Sequence, residues 1–304
     1  ARADETKTSD YSPLSPQYPR TSTGRRRALA LWMTRPDNPL TARVAVNHIW
    51  MRHFHQPLVS SVYDFGRNGA KPTHPELLDW LAVEFVDSGW SMKHLHKLIV
   101  TSATYRRVSS AKGASQWHAI DPENQQLWRM NSGRMEAEVV RDSLLFCGDM
   151  LESKMGGQEL ENSEALTTFR RSLYYSVHPE EGGKNPLGEW FDAPNALECY
   201  RRTRSIVPQQ ALALTNSDLI HAMSERIVKD TFEIEDSNAL IINLFERILS
   251  RQPSDAELQV CAKALTDQLR LANDAKHAVS DANLKARQSL VRALLNHNDF
   301  ITIR

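Results

Sequence analysis

Residues 41–80 read TARVAVNHIWMRHFHQPLVSSVYDFGRNGAKPTHPELLDW, and this stretch decides the fold of the chain. Apolar residues recur at helical spacing at both of its ends, which predicts two helices. The middle contains Pro57, Gly66 and Gly69, which predicts a broad polar loop. We therefore expect a helix, a long loop and a second helix packed against the first.

Polar side chains are concentrated in this stretch, on the first helix, in the loop and at its exit. The candidates for ligand binding or chemistry are Arg43, Asn47, His53, Asp64, Arg67 and His74. In a ligand site, Arg43 and Asn47 would orient a polar molecule, and His74 or Asp64 would act as the catalytic proton shuttle. The same side chains would alternatively form a hydrogen-bonded pin that holds the loop in place.

The rest of the sequence predicts a mainly α fold. We expect an irregular multi-helix array with one small β element and one long ordered loop, because glycine is scarce, at 12 of 304 residues. Thr73–Glu76 and Ser254–Glu257 have the spacing of capping boxes, and Ser91 is a further candidate cap. A bent helical segment is predicted over about 121–151, with Arg141 on a face other than its apolar stripe.

The predicted β element is RSLYYSV, residues 171–177, which is rich in aromatic and β-branched residues. Residues 1–21 are polar and rich in Pro and Ser, which predicts a linker or processed N-terminal segment. Residues 22–155 are expected to form an N-terminal helical half. Residues 156–304 would form a loop-rich segment and a C-terminal helical half, joined to the first half in one compact domain.

Charge and apolar patterning exclude several classes of protein. The chain carries 37 basic and 37 acidic side chains, so no net positive charge favours binding to nucleic acid or to an anionic membrane. No apolar run approaches the roughly 18 residues that span a bilayer. We therefore expect neither a nucleic-acid partner nor a membrane span.

No metal or cofactor motif is present. Cys147, Cys199 and Cys261 are far apart, without CxxC or CxxCH, so no zinc or haem attachment is encoded in this chain. Histidines two residues apart on a helix point to different faces. Only a tertiary cluster, such as His53 with His74 and Asp64, would hold a metal, and no metal site is predicted.

Catalytic motifs are equally scarce. There is no GxSxG, P-loop or GxGxxG, and DFG at residues 64–66 lacks the companion motifs of a kinase. A glycosidase needs two carboxyl groups about 5–10 Å apart. The candidate carboxylates are Asp64, Asp79, Glu138, Asp142, Glu189 and Asp192.

The long loop of residues 178–210 carries a second polar set. It combines aromatic rings with hydrogen-bonding groups, as pockets for carbohydrates or carboxylates do. Its candidate ligand-binding residues are Trp190, Asp192, Arg202 and Arg204. The alternative is that these side chains anchor the loop onto helices.

Five long stretches carry a family resemblance. They are RRALALWMTRPDNPLTARVAVNHIW (26–50), VYDFGRNGAKPTHPELLDWLAVEFVDSGWSMKHLHKLIVTSATYR (62–106), DPENQQLWRMNSGRMEAEVVRDSLL (121–145), RSLYYSV (171–177) and RRTRSIVPQQALALTNS (201–217). With these motifs the chain resembles the planctomycete-type surface domain family, domain of unknown function 1553. The resemblance implies the C-terminal part of a larger secreted protein, often associated with a cytochrome-c-like domain, and a context of polysaccharide use.

Three functional hypotheses follow. The first is an extracytoplasmic module, in the periplasm or at the cell surface, of a multidomain redox-associated protein connected with glycan processing. The second is a non-catalytic scaffold that docks the cytochrome-like and companion domains. The third is a glycan hydrolase with paired carboxylates. Haem, if used, would lie on an upstream domain or a partner chain, and a carbohydrate is the expected ligand.

Overall fold

The protein is described here by a computed structural model that covers residues 23–165, 167–181, 183–197, 202, 205–274 and 279–303. The chain divides into two compact units, and the boundary between them lies between Asn131 and Ser132. The sequence placed the boundary between its two halves at residue 155. That they form one compact domain stays a prediction.

The first unit is helical. Its helices are α1 (Arg25–Met33), α2 (Thr41–Phe54), α3 (Pro75–Asp87), α4 (Met92–Val100) and α5 (Ser115–Ile120). The core forms where α2 buries Val46 and Phe54 against Leu81 and Phe85 of α3. Their spacing of eight residues on α2 and four on α3 places these side chains on one stripe of each helix, as the sequence predicts.

The second unit is larger and also helical. It contains β1 (Gly133–Arg134), α6 (Ala137–Cys147), α7 (Pro186–Trp190), α8 (Pro208–Asn216), α9 (Asp218–Asp230), α10 (Ser237–Leu249), α11 (Asp255–Asp274), α12 (Val279–Leu295) and β2 (Thr302–Ile303). β1 and β2 pair antiparallel, with Gly133 opposite Ile303. The core is built around α12, which contacts α8, α9, α10 and α11. The mainly α prediction is confirmed.

Several helix starts follow the caps expected from the sequence. The Ser91 side chain accepts a hydrogen bond from the backbone of His94 at the start of α4. At α11, Glu257 Oε2 accepts from the Ser254 backbone at 2.8 Å, and Ser254 Oγ accepts from the Glu257 backbone at 3.4 Å, which is a reciprocal capping box. The prediction of a capping box at Thr73–Glu76 is wrong. α3 begins after His74, and Thr73 Oγ1 donates to the carbonyl of Leu58 instead.

The strand predicted over residues 171–177 is also wrong. Ser172–Tyr174 forms a 3₁₀ turn, and only an isolated bridge joins Tyr175 to Leu160. The cause lies in competing partners for the backbone: the carbonyl of Arg170 accepts from the Arg141 guanidinium, and the amide of Ser172 donates to Asp142. A regular ladder would need those groups.

The helix predicted over about 121–151 forms only in its second half, as α6. Before it, the Asp121 carboxylate accepts from the amides of Gln125 and Gln126, which turns the chain locally. Asn124 and Leu127 take left-handed backbone angles, with φ of 54° and 52°. Side chains that bond to nearby amides compete with a helix, and here they prevent one.

The capping box of α11 gives a pH-dependent prediction. The pKa of Glu257 falls from 4.5 to about 2, first because Arg251 donates hydrogen bonds to it and then because of the Ser254 backbone. A carboxyl with a lowered folded-state pKa stabilises the fold above its unfolded pKa, and that contribution is lost as the pH falls from 4.5 towards 2.

We therefore expect the thermal midpoint of the wild type to exceed that of Glu257→Gln at pH 7. The difference should shrink as the pH is lowered to 3. Differential scanning calorimetry at both pH values checks this, and a difference that stays constant with pH would contradict it.

Candidate functional site

Asn47 is sealed in the interior and holds the start of the long loop. Its side chain is 0% exposed. Nδ2 donates to the carbonyl of Val59 at 3.1 Å, and Oδ1 accepts from the amide of Val59 at 2.9 Å. One amide side chain thus pairs with both backbone groups of one loop residue, which is the geometry of a structural pin.

The other end of the loop is tied to the same place. The amide of Thr73 donates to the carbonyl of Leu58 at 2.9 Å, and Thr73 Oγ1 donates to the same oxygen. Leu58 and Val59 are both about 2% exposed. Asn47 of α2 therefore holds residue 59, and Thr73, just before α3, holds residue 58. These hydrogen bonds bring the two ends of the α2–α3 loop together.

Asp64 shapes the tip of the loop. Its Oδ1 accepts from the amide of Gly66 at 2.7 Å, and its carbonyl accepts from Ser61 Oγ at 2.7 Å. A Cβ at Gly69 would overlap that carbonyl, so the turn requires glycine. Asp64 and Arg67 are exposed. The contacts of Asp64 are thus those of a turn former.

Arg43 lies on α2 and faces an open groove. Its Nε donates to Asp79 Oδ1 of α3 at 2.6 Å, and its Nη1 donates to the carbonyl of Pro39 at 2.6 Å. The hydrogen bond from Arg43 is the main cause that lowers the pKa of Asp79. The groove encloses about 440 Å³ and is bounded by residues 36–43 and 79–87.

The two remaining histidines have other neighbours. His74 is half-buried at the start of α3, with Nδ1 3.1 Å from Thr73 Oγ1. His53 Nε2 is 2.7 Å from His96 Nδ1. The lining of the groove includes Arg43 but neither Asp64 nor His74. The expected cleft of all these side chains is thus not found in the described part of the first unit.

In the second unit, the long loop is anchored by its polar side chains. Asp192 Oδ2 accepts from the amide of Ser205 at 2.6 Å and from its hydroxyl at 3.0 Å. Gln210 Nε2 donates to the carbonyls of Trp190 at 2.9 Å and Ser205 at 3.2 Å. Asp192 has a φ of 56°, which the two bonds to Ser205 help to hold.

Arg202 forms a two-pronged ion pair with Glu138 of α6. The distances are 2.7 Å from Nη2 to Oε1 and 3.3 Å from Nη1 to Oε2. The adjoining cavity encloses about 20 Å³, which is space for a single water molecule. Asp192 and Arg202 therefore act as anchors, Trp190 contributes its backbone carbonyl while 38% of the residue is exposed, and Arg204 lies outside the described residues.

The sequence of this chain matches one family model. The match covers residues 25–265 and is to PSD1, described as a protein of unknown function (DUF1553). The chain belongs to the PSD1 family. A comparison with curated proteins found no match, and neither did a comparison with solved structures.

Five of the six candidate carboxylates of this PSD1 chain have basic or amide partners, among them Asp64 and Asp192 as described above. Asp79 is paired with Arg43, and Glu138 is paired with Arg202. Asp142 accepts from the amide of Ser172 at 2.7 Å. A general acid must be kept protonated by its surroundings, whereas the hydrogen bond from Arg43 lowers the pKa of Asp79.

The side chain of Arg141, which the sequence places on a face other than the apolar stripe of α6, is buried. Only 1% of the residue is exposed. It donates to the carbonyls of Ala165, Thr168 and Arg170 and to two hydroxyls, those of Ser172 and Tyr175. The local sequence around Arg141 and Asp142 does not indicate this burial, because the groups that Arg141 binds lie 24 to 34 residues further along the chain.

The described cysteines and the clustering of metal-ligating side chains bear on thiol and metal chemistry. Burial raises the pKa of Cys147 to about 11, so its thiol stays protonated at neutral pH. Cys199 lies outside the described residues. In the portions that the structure describes, no three His, Cys, Asp or Glu side chains converge as metal ligands. Among the same residues, no helix is long and apolar enough to cross a membrane.

Proposed function

We propose that this PSD1 chain is a non-catalytic docking module of a larger extracytoplasmic protein, and that helix α1 carries the docking surface. No residue of α1 is buried. Leu29, Leu31, Trp32 and Met33 expose between 47% and 57% of their surface. Such a cluster of exposed large apolar side chains marks an interaction site, and it is the observation that carries the proposal.

The helix is held firmly at its C-terminal end. Asn38 is buried, donates to the carbonyl of Trp32 at 2.9 Å and accepts from the amide of Leu40 at 2.9 Å. Thr41 Oγ1 donates to the carbonyl of Met33 at 2.8 Å. α1 is thus joined to α2 through a turn with defined hydrogen bonds, so its apolar face is presented in a fixed direction from α2.

The chemistry of α1 defines the partner. Leu29, Trp32 and Met33 share one face of the helix by their spacing of three and four residues. Arg25, Arg26 and Arg27 are exposed at its start. A fitting partner presents an apolar groove with an acidic end. We propose that this partner is the cytochrome-c-like or companion domain that the family resemblance implies, with haem on that domain.

Binding to a purified c-type cytochrome domain tests this function. Isothermal titration calorimetry should show binding to the wild-type chain and at least a tenfold loss of affinity for the double variant Leu29→Ser/Trp32→Ser. A tenfold loss corresponds to about 1.4 kcal/mol, within the range that one interface anchor supplies.

The matched control is Leu212→Ser on α8, since Leu212 is 59% exposed and lies in the other compact unit. The Leu212→Ser variant should bind the cytochrome domain with the affinity of the wild type. The docking function would be rejected if the cytochrome domain bound the α1 variant as tightly as the wild type, or failed to bind the wild type.

A second candidate function is carbohydrate binding in the Arg43 groove, in a protein connected with glycan processing. Its volume of about 440 Å³ is in the range of ligand pockets, and Arg43 and Asp79 supply hydrogen-bonding groups at its wall. Titration with neutral oligosaccharides should then raise the thermal midpoint of the wild type but not of Arg43→Ala. An equal response of both proteins would reject the groove as the binding site.

A further inference from the structure

Two histidines from different helices face each other in the first compact unit. His53 is in the last turn of α2, and its Nε2 is 2.7 Å from Nδ1 of His96 on α4. The ring centroids are 5.0 Å apart, with an angle of 69° between the rings. The two ring nitrogens thus face each other at hydrogen-bond distance. This pair was not predicted from the sequence.

The packing around the pair fixes its geometry. Each histidine is next in sequence to a core residue: Phe54 is 1% exposed and Leu95 is 0% exposed. The Tyr105 ring lies edge-on to both His53 and Phe54, with centroid distances of 5.7 Å and 5.8 Å. The backbone at both positions is therefore held by the core, and the two nitrogens meet at its edge.

His53 is in the protonation state that binds metals. Burial lowers the pKa of His53, and the nearby His96 lowers it further. Neutral imidazole, and not imidazolium, is the metal ligand. The ligand form of His53 is thus present at neutral pH.

We propose that His53 and His96 form a two-histidine site for a divalent transition-metal ion, with water at the remaining positions. This site is independent of the docking function. On binding, the proton in the hydrogen bond between the two nitrogens would move through solvent to the other nitrogen of the ring that donates it, so that both rings bind as neutral imidazoles and no net proton is released. Because no third His, Cys, Asp or Glu ligand converges in the described residues, the ion keeps open positions.

The nitrogen ligands and the open positions favour copper over zinc. Cu²⁺ prefers square or tetragonal nitrogen and oxygen ligands, and it also binds most tightly in the order of divalent ions.

Copper titration followed by electron paramagnetic resonance tests the site. The wild-type chain, with Cu²⁺ buffered by glycine, should bind one equivalent with coupling to two imidazole nitrogens. Cu²⁺ should bind at least tenfold more tightly than Zn²⁺. His96→Ala should bind at least tenfold more weakly and lose one nitrogen coupling. This variant keeps the core intact because His96 is exposed.

The matched control is His94→Ala, which removes another histidine of α4 whose Nε2 is 3.4 Å from Glu84. It should bind Cu²⁺ as the wild type does. His53→Gln should reproduce the loss seen for His96→Ala. The proposal is overturned if the wild type binds no Cu²⁺, or if His96→Ala retains the affinity and both nitrogen couplings.

Discussion

Arg141→Ala is expected to lower the free energy of unfolding by about 3–5 kcal/mol, the range for removing one partner from a buried charged network. The guanidinium satisfies three backbone carbonyls between residues 165 and 170. It also stacks over the Tyr175 ring, at 4.8 Å from its centroid. Alanine would leave these carbonyls buried without donors and would leave a cavity beside α6.

Urea unfolding at pH 7, followed by circular dichroism, measures this loss. Arg141→Lys should recover only part of it, because an ammonium cannot reach the same acceptors with a planar fork. The control is Arg226→Ala: its side chain is 47% exposed and 3.7 Å from Asp230, so a change below about 1 kcal/mol is expected. Equal effects at positions 141 and 226 would contradict the role of Arg141.

Asn47→Ala is expected to cost about 2–6 kcal/mol, since a buried group left without a partner costs about 1–3 kcal/mol and two are left here. These are the amide and the carbonyl of Val59. Asn47→Asp keeps the acceptor but places a carboxylate oxygen against the Val59 carbonyl, so it should be at least as destabilising.

Calorimetry measures the stability of Asn47→Ala, and hydrogen exchange measures how far the Val59 amide loses its protection. In Asn47→Ala, exchange of the Val59 amide should become much faster than in the wild type. The control is Asp64→Asn, which keeps an oxygen for the Gly66 amide at an exposed turn and should change stability by less than about 0.5 kcal/mol. An unchanged midpoint in Asn47→Ala would instead favour a role in ligand binding.

Helices and their caps follow from local sequence, and most were predictable. The spacing of apolar residues sets α2 and α3, and the Ser254–Glu257 pair sets the start of α11. These features depend on residues within one or two turns of each other, so periodicity is sufficient to find them.

What the sequence could not provide are contacts between distant segments. Asn47 and Val59 are twelve residues apart, and Arg141 reaches residues 24 to 34 positions further along the chain. Residues 171–177 have β-type composition, yet the Ser172 amide that a strand would use donates to Asp142. The same holds for His53 and His96, which are brought together across 43 positions by core packing.

The polar side chains of residues 41–80 and the exposed face of α1 differ in how far the sequence indicated them. Two of the polar side chains singled out in residues 41–80, Asn47 and Asp64, bond to backbone groups of the loop. The exposed face of α1 was not recognised, because apolar residues at helical spacing normally predict burial. Exposure is a property of the folded chain, and only the structure reveals that Leu29 and Trp32 are uncovered.

Hydrogen exchange of the wild-type chain, with and without a saturating c-type cytochrome domain, tests the central claim most directly. We expect the amides of α1 to become protected when the cytochrome domain is added. The Val59 amide should be protected in both samples, because Asn47 holds it. Unchanged exchange in α1, or protection that appears only in the loop of residues 56–74, would contradict α1 as the docking surface.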